Sequence, residues 1–379
     1  MTETLSRILS PLDAGCFLKH YGTRQPLHVA RTAPDYYADV LSEADLDAIL
    51  QSPQLPAAFV NVVKEGTRYA IEDWSRIYTS ARGEQRVAIP ERLFGLYGEG
   101  ATLILNQADR TVPSLNAACR ALSLEMGFPA QANVYITPRN AMGFSRHEDD
   151  HEVMILQIAG SKRWLLFPQG VPGAEIDLRS GDLLYLPRGL AHSAQAQEAD
   201  SIHVTVGLRP WYAFQLIEEL AAMASQNGGF QQPVPPRFAD DGAKQGFESA
   251  FLRQLQDLIA ATKPSELIER RFHSLVENQP RGWSGRLSDL RYLRDITPET
   301  VVRRRPGILT IVKDDGKTLN VEFAGTRIAI PSFLKGALEK IMSQPAFAVR
   351  ELEGFISNTG KEKLITEFVR AGFLRIVNI

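Results

Sequence analysis

Between Asn133 and Gly207 the chain is a succession of short apolar runs broken by turn residues, and this most constrains its fold. Asn133-Val134-Tyr135-Ile136-Thr137 ends at Pro138, and Glu152 to Ala159 ends at Gly160-Ser161. Lys162 to Phe167 follows, then the turn Arg179-Ser180-Gly181-Asp182, the run Leu183 to Leu186 closed by Pro187-Arg188-Gly189, and finally Ser201 to Gly207. Runs of this length, rich in β-branched and aromatic residues, are strands, and their Gly, Pro and Asp boundaries are turns. We expect Glu152–Ala159 and Lys162–Phe167 to pair as a hairpin that carries Lys162 inward. The series predicts an α+β chain built on a jelly roll, a double-stranded β-helix with room between its two sheets.

Within that series stand His147-Glu148-Asp149 and, after Leu186-Pro187-Arg188-Gly189-Leu190-Ala191, His192. Two imidazoles and one carboxylate are the donors of a facial triad, which binds one side of an octahedral Fe(II) and leaves the opposite positions open. On a strand, residues two apart face the same side, so His147 and Asp149 are expected to share a metal while Glu148 points away. His151 falls on the same side and is read as a rim or substrate-contact residue. His203 is read as a satisfied interior histidine, and His20, His28 and His273 have no partner in sequence.

The order of these segments carries a resemblance. Asn133 to Pro138, His147-Glu148-Asp149-Asp150, Leu156 to Trp164, Gly181 to Gly189 and His203-Val204-Thr205 look like the Jumonji-C ribosomal oxygenases, over most of the chain. The resemblance implies an Fe(II)- and 2-oxoglutarate-dependent oxygenase that hydroxylates an arginine or histidine side chain, in a ribosomal protein. It gives His147, Asp149 and His192 as catalytic metal ligands. It gives Lys162 as the cation facing the far carboxylate of 2-oxoglutarate, with the Tyr135 hydroxyl at the same end. An ammonium, compact and with three donors, suits a terminal carboxylate in a dry site. Two features depart from parts of the family: Gly207, where some relatives place serine, and Lys162, where the bacterial arginine hydroxylases tend to place arginine. The second is closer to the histidine-hydroxylase branch.

The remaining chain reads as three regions: a catalytic domain over 1–209 with N-terminal helices, a helical region over 210–295, and a smaller α/β region over 296–379. In the first, Leu12 to Tyr21, Ser42 to Gln51 and Ser114 to Met126 are helix-like. The connection Glu65 to Ile89, with Tyr69, Trp74 and Tyr78, is expected to line the mouth of the site. In the second, Trp211 to Leu220, Phe247 to Ala261 and Ser265 to Glu277 are amphipathic. The resemblance implies a homodimer through this region. In the third, Leu309 to Val312, the turn Asp314-Asp315-Gly316 and Leu319 to Phe323 form a hairpin. Thr326 to Ile330 is expected as a third strand, with helices over Ser332 to Ser343, Ala348 to Gly354 and Lys361 to Ala371. This resembles the winged-helix domain that ends the ribosomal oxygenases.

Composition narrows the function. Lys and Arg number 42 against 44 Asp and Glu, so no overall field favours nucleic acid or an anionic membrane. The run Arg303-Arg304-Arg305 lies outside any expected recognition helix, and no direct nucleic-acid binding is expected. Two cysteines, Cys16 and Cys119, are too few for a disulfide framework and fit a reducing cytoplasm. Neither a signal peptide nor a membrane span is expected. Two alternatives remain open: a hydroxylase of a precursor peptide, and an inactive cupin that only binds. N-demethylation starts with the same hydrogen abstraction as hydroxylation, so the ligands do not separate the two.

Overall fold

The computed structural model describes residues 3–378 apart from 82, 171, 239, 280–284 and 355. The chain divides into two compact units, Met1–Pro210 and Trp211–Ile379.

The first unit contains β1 (Leu27–Val29), β2 (Val60–Lys64), β3 (Thr67–Arg68), β4 (Ser75–Ser80), β5 (Gly83–Ala88), β6 (Thr102–Leu105) and β7 (Ala130–Thr137). It continues with β8 (Glu152–Ala159), β9 (Ser161–Phe167), β10 (Ala174–Arg179), β11 (Leu183–Leu186), β12 (Ala191–Ala196) and β13 (Ser201–Leu208). An antiparallel eight-stranded sheet runs β1-β11-β8-β13-β7-β6-β2-β3, and a three-stranded sheet runs β10-β9-β12.

The large sheet has two different faces because its strands alternate. Val134, Met154, Leu156, Tyr185, Val204 and Val206 lie in the main core with Leu5, Ile8, Phe17, Leu46, Leu115 and Leu122 from the helices α1 (Glu3–Leu9), α2 (Ala14–Thr23), α3 (Glu43–Leu50) and, after α4 (Pro90–Gly98), α5 (Pro113–Met126). Burying each such side chain contributes about 1.5–3 kcal/mol. The opposite face supplies Val153, Ile155, Leu184 and Leu186 to a second core, shared with Trp164, Leu166 and Leu178 of the small sheet. The two sheets therefore pack through apolar side chains at one end.

The expected hairpin is not formed. β8 pairs with β11 and β13, whereas β9 pairs with β10 and β12, so the chain crosses from one sheet to the other at Gly160. Gly160 has φ +65, and a Cβ there would lie 1.7 Å from the Asp200 carbonyl oxygen, so only glycine passes. A turn signal marks a reversal of the chain but does not say which strand becomes the neighbour. The turn before β11 is fixed by the buried Asp182, whose carboxylate accepts from the amides of Arg31 (2.7 Å) and Arg179 (2.9 Å).

The helix read around Ser42 forms as Glu43–Leu50 with a reciprocal capping box, Ser42 with Asp45. The short strands of residues 27–105 carried too little pattern to be read in sequence. Tyr69 and Trp74 pack in the core rather than at a mouth, and only Tyr78 of that trio is exposed. Glu65 and Gly66 do reach the site's edge, donating to the carbonyls of Met142 (3.1 Å) and Gly143 (2.7 Å).

In the second unit the helices are α6 (Ala213–Gln226), α7 (Asp241–Ala261), α8 (Pro264–Glu277), α9 (Arg286–Arg291), α10 (Lys335–Ser343) and α11 (Asn358–Ala371). The strands β14 (Val301–Arg304), β15 (Ile311–Asp314), β16 (Thr318–Phe323), β17 (Thr326–Pro331), β18 (Ala346–Ala348) and β19 (Leu374–Asn378) make two small sheets, β15-β16-β17 and β18-β14-β19. Residues 348–354 are not the expected helix: β18 runs into a single 3-10 turn, Val349–Glu351. Just before it, Phe347 pairs with Val302 and is buried, which holds β18 as an edge strand beside β14 and runs the chain out of a helical path despite its helix-compatible composition. The arginine run is largely structural. Arg304 donates to the carbonyls of Met342 and Ile308, and the buried Arg305 pairs with Asp289.

Candidate metal centre and its pocket

His147, Asp149 and His192 come together, with one ligand atom from each within 4.8 Å of the others. The route differs from the expected one. His147 forms an isolated bridge with His192, and Asp149 precedes β8 in irregular chain, so the pair does not share a strand face. Two backbone bonds clamp the bridge, His147 N to His192 O (3.0 Å) and His192 N to His147 O (2.9 Å); Gly189 N donates to Asp149 O (2.9 Å). Main-chain pairing, rather than strand alternation, fixes the triad.

Each imidazole is held in one tautomer. His147 Nδ1 lies 2.8 Å from the Ser145 carbonyl and His192 Nδ1 lies 2.9 Å from that of Leu190. A carbonyl only accepts, so Nδ1 carries the proton and Nε2 is left as a lone pair, the form that binds a metal. His192 is buried, and burial pushes its pKa below the usual imidazole range, which keeps it neutral. Its Nε2 stands 3.6 Å from Asp149 Oδ2. Two imidazoles and a carboxylate converging in this way suit a six-coordinate divalent ion with open positions. Glu148 is exposed and does not line the pocket.

The pocket is lined by β7, β8, β9, β12 and β13. Asn133 and Tyr135 face it from β7 while Val134 and Ile136 face the helical core. Lys162 on β9 is 3 % exposed, and its Nζ donates to Thr137 Oγ1 at 3.1 Å. Among the described residues no carboxylate lies within salt-bridge distance of it, and desolvation pulls its pKa from 10.5 down to about 7. Tyr135 stacks on His203 with ring centroids 4.7 Å apart, and burial pushes its hydroxyl up to about 12. Trp164 lies 5.7 Å from the rings of both His192 and His203.

His203 is not the satisfied interior histidine that was expected. It is buried, its Nδ1 has no hydrogen-bond partner among the described residues, and burial holds it neutral well below the ordinary range. Trp164 Nε1 is likewise buried and unpartnered. His28 instead faces Asp182 at 3.5 Å, His20 Nδ1 the Pro26 carbonyl at 2.9 Å, and His273 Glu322 at 3.4 Å. Sequence reasoning passed over Asn133, Thr137, Trp164 and Thr205. The alternation Asn133-Val134-Tyr135-Ile136-Thr137, polar on one side and apolar on the other, was the signal for the β7 members. The site thus has three potential metal donors at one place and, beside them, buried polar groups around a lysine that faces no carboxylate among the described residues.

An α+β chain with these sheets and this triad has the make-up of a JmjC protein. A sequence model of the JmjC domain matches residues 108–172 and 166–216. The bifunctional lysine-specific demethylase and histidyl-hydroxylase NO66 of Drosophila willistoni is 29% identical over 248 residues, 59% of this chain and 31% of that protein. Ribosomal oxygenase 1 of Gallus gallus is 31% identical over 290 residues, 68% of this chain and 47% of that protein. The chain thus matches about a third to a half of the length of these curated relatives. The solved structure of YcfD, a ribosomal oxygenase from Escherichia coli, superposes with TM-score 0.56 at 17% identity, covering 97% of this chain and 98% of that one, a likeness of fold. The chain thus carries a region matching the JmjC domain and is similar in sequence to the ribosomal oxygenases.

Proposed function

We propose that the chain is an Fe(II)- and 2-oxoglutarate-dependent oxygenase that hydroxylates an arginine or histidine side chain of a ribosomal protein. The observation that carries this reading is Lys162: a buried ammonium with one hydroxyl partner and no carboxylate, in the same pocket as the His147, Asp149 and His192 triad. A buried cation without a counter-charge is costly, and a site that keeps one is built for an anionic ligand. The names of the relatives agree, and the Escherichia coli protein has been solved with cobalt and 2-oxoglutarate.

In this reading His147, Asp149 and His192 hold the metal. Lys162, supported by Thr137, faces the distal carboxylate of 2-oxoglutarate, and Tyr135 lines the same pocket with its hydroxyl on Asn133. When bound, the metal and co-substrate supply an activated oxygen for insertion into a C–H bond, with 2-oxoglutarate leaving as succinate and carbon dioxide. The chain's own groups ligate, pair charge and keep water out: Val153, Ile155 and Trp164 make the walls apolar, which strengthens each charge interaction inside.

We read the two sheets as the double-stranded β-helix of residues 1–209, residues 210–295 as a helical dimerisation region and 296–379 as a winged-helix-like domain. Support for a homodimer comes from α6 and α7, neither of which has a buried residue, with Phe214 55%, Ile217 67% and Leu252 55% exposed. The internal engagement of Arg304 and Arg305 favours a structural role for the last region over nucleic-acid binding. No described helix is long and apolar enough to cross a membrane; we place the protein in the cytoplasm, with its ribosomal substrate.

The test is succinate release from 2-oxoglutarate with Fe(II), with and without a ribosomal-protein extract, for the wild type and for His192→Ala and Asp149→Ala. Turnover that rises with the extract and vanishes in both variants, with one oxygen added to an extract protein, is the expected result. Turnover that ignores the extract redirects the search to precursor peptides. Wild-type activity surviving in both variants removes the metal assignment.

A further inference from the structure

The end of the pocket away from Lys162 holds a feature that neither the triad nor co-substrate binding uses. His151 lines the pocket, and its Nδ1 lies 2.6 Å from Asp150 Oδ1, which in turn stands 3.7 Å from Arg209 Nη1. A carboxylate only accepts, so Nδ1 carries the proton that it donates, and Nε2 has no partner among the described residues.

The ring's position is matched by Gly207 on β13. A Cβ at 207 would lie 2.7 Å from His151 Nε2 and 2.9 Å from its Cδ2, closer than any side chain tolerates. Gly207 is not at positive φ, so the backbone does not demand glycine there. What the missing side chain provides is space for the imidazole.

The strand register places this pair. On β13, His203 stands beside Tyr135 and Gln157, Thr205 beside Asn133 and Ile155, and Gly207 beside Gln131 and Val153. His203 and Tyr135 mark the end nearest Lys162. Four residues of strand put Gly207 roughly 13 Å from His203. His151, two residues past Asp149, belongs with Gly207 at the opposite end, where the side chain to be oxidised must come in.

We propose that His151 reads the substrate side chain, accepting through Nε2 a hydrogen bond from an N–H donor on the residue to be hydroxylated, and that Gly207 is the steric partner that lets it do so. This rests on the oxygenase reading above and deepens it: His151 is the group that recognises the N–H of the arginine or histidine side chain named there. A purely aliphatic target would leave Nε2 facing hydrocarbon.

The experiment titrates a ribosomal-protein extract against succinate release for the wild type, His151→Phe, His151→Gln and Gly207→Ala. Phenylalanine keeps the ring but not the acceptor, glutamine keeps an acceptor oxygen, and alanine at 207 displaces the ring without altering it. The expected result for His151→Phe and Gly207→Ala is a rise of about tenfold in the half-saturating extract concentration, as for one lost hydrogen bond, with 2-oxoglutarate half-saturation within about twofold of wild type. His151→Gln should recover part of the loss, which a packing defect would not allow. Wild-type half-saturation in His151→Phe, or an aliphatic residue as the oxidised site in the wild type, overturns the proposal. A wild-type protein that binds neither metal nor 2-oxoglutarate removes the underlying oxygenase reading instead, and this proposal with it.

Discussion

Lys162→Met is the substitution that most directly probes the pocket. In the folded protein the ammonium is buried, with one hydrogen bond and a pKa drawn from 10.5 down to about 7 by desolvation. That fall corresponds to about 5 kcal/mol of destabilisation of the charged form in the folded state. The sign follows from proton counts. Between pH 7 and pH 10 the unfolded chain holds a proton on Lys162 that the folded chain has given up, so this residue's contribution makes stability rise with pH across that window. Below pH 7 both states are protonated and the full penalty applies. Methionine has similar length and no charge, so Lys162→Met is expected to stabilise the ligand-free protein by about 2–4 kcal/mol at pH 7, part of the gain being lost to relaxation of the site. Most of the rise in stability between pH 7 and 10 should go with it. Urea denaturation at three pH values measures both effects.

Ligand binding should move the opposite way. A carboxylate beside Nζ restores the proton, so 2-oxoglutarate affinity should fall by about 25-fold between pH 6.5 and 8.5 as the free enzyme loses it. Calorimetry with Ni(II) in place of Fe(II) reads this without turnover. Lys162→Met should weaken binding at least about 30-fold at pH 7, as for truncation of one partner of a buried charge pair. Lys162→Arg should bind with little pH dependence, because guanidinium stays charged. Wild-type 2-oxoglutarate affinity in Lys162→Met, with no gain in ligand-free stability, would refute the reasoning about the buried charge.

Three further expectations follow from the packing. Gly160→Ala places a Cβ 1.7 Å from the Asp200 carbonyl at a φ of +65, and should cost more than about 2 kcal/mol or prevent folding, as read by thermal unfolding. Asp289→Ala removes the carboxylate facing the buried Arg305 and should destabilise the protein by about 3–5 kcal/mol in chemical denaturation. Ile217→Glu combined with Leu252→Glu changes only exposed positions, so the fold should persist by circular dichroism while light scattering, if the wild type has the mass of the proposed dimer, reads a monomer; a variant of unchanged dimeric mass would exclude α6 and α7 as the interface.

The sequence by itself determined the chemistry of the donors. His147, Asp149 and His192 were legible because few residue types bind a divalent transition metal, and β7, β8, β9, β11 and β13 were legible because alternation and turn residues are local properties, whereas β10 and β12 were not read. The same locality explains the misreadings. Whether β8 pairs with β9 depends on strands far along the chain, and Ala346–Ala348 became an edge strand on β14 because Val302 lies beside Phe347. Only the tertiary structure decided that main-chain pairing brings His147 to His192, and that Asp149 joins them from irregular chain and not from a strand face shared with His147. It alone showed that Lys162 has no carboxylate beside it among the described residues and that the His151 ring occupies the space left by Gly207. Burial and juxtaposition belong to the assembled sheets, since they arise from contacts between residues that the sequence keeps far apart.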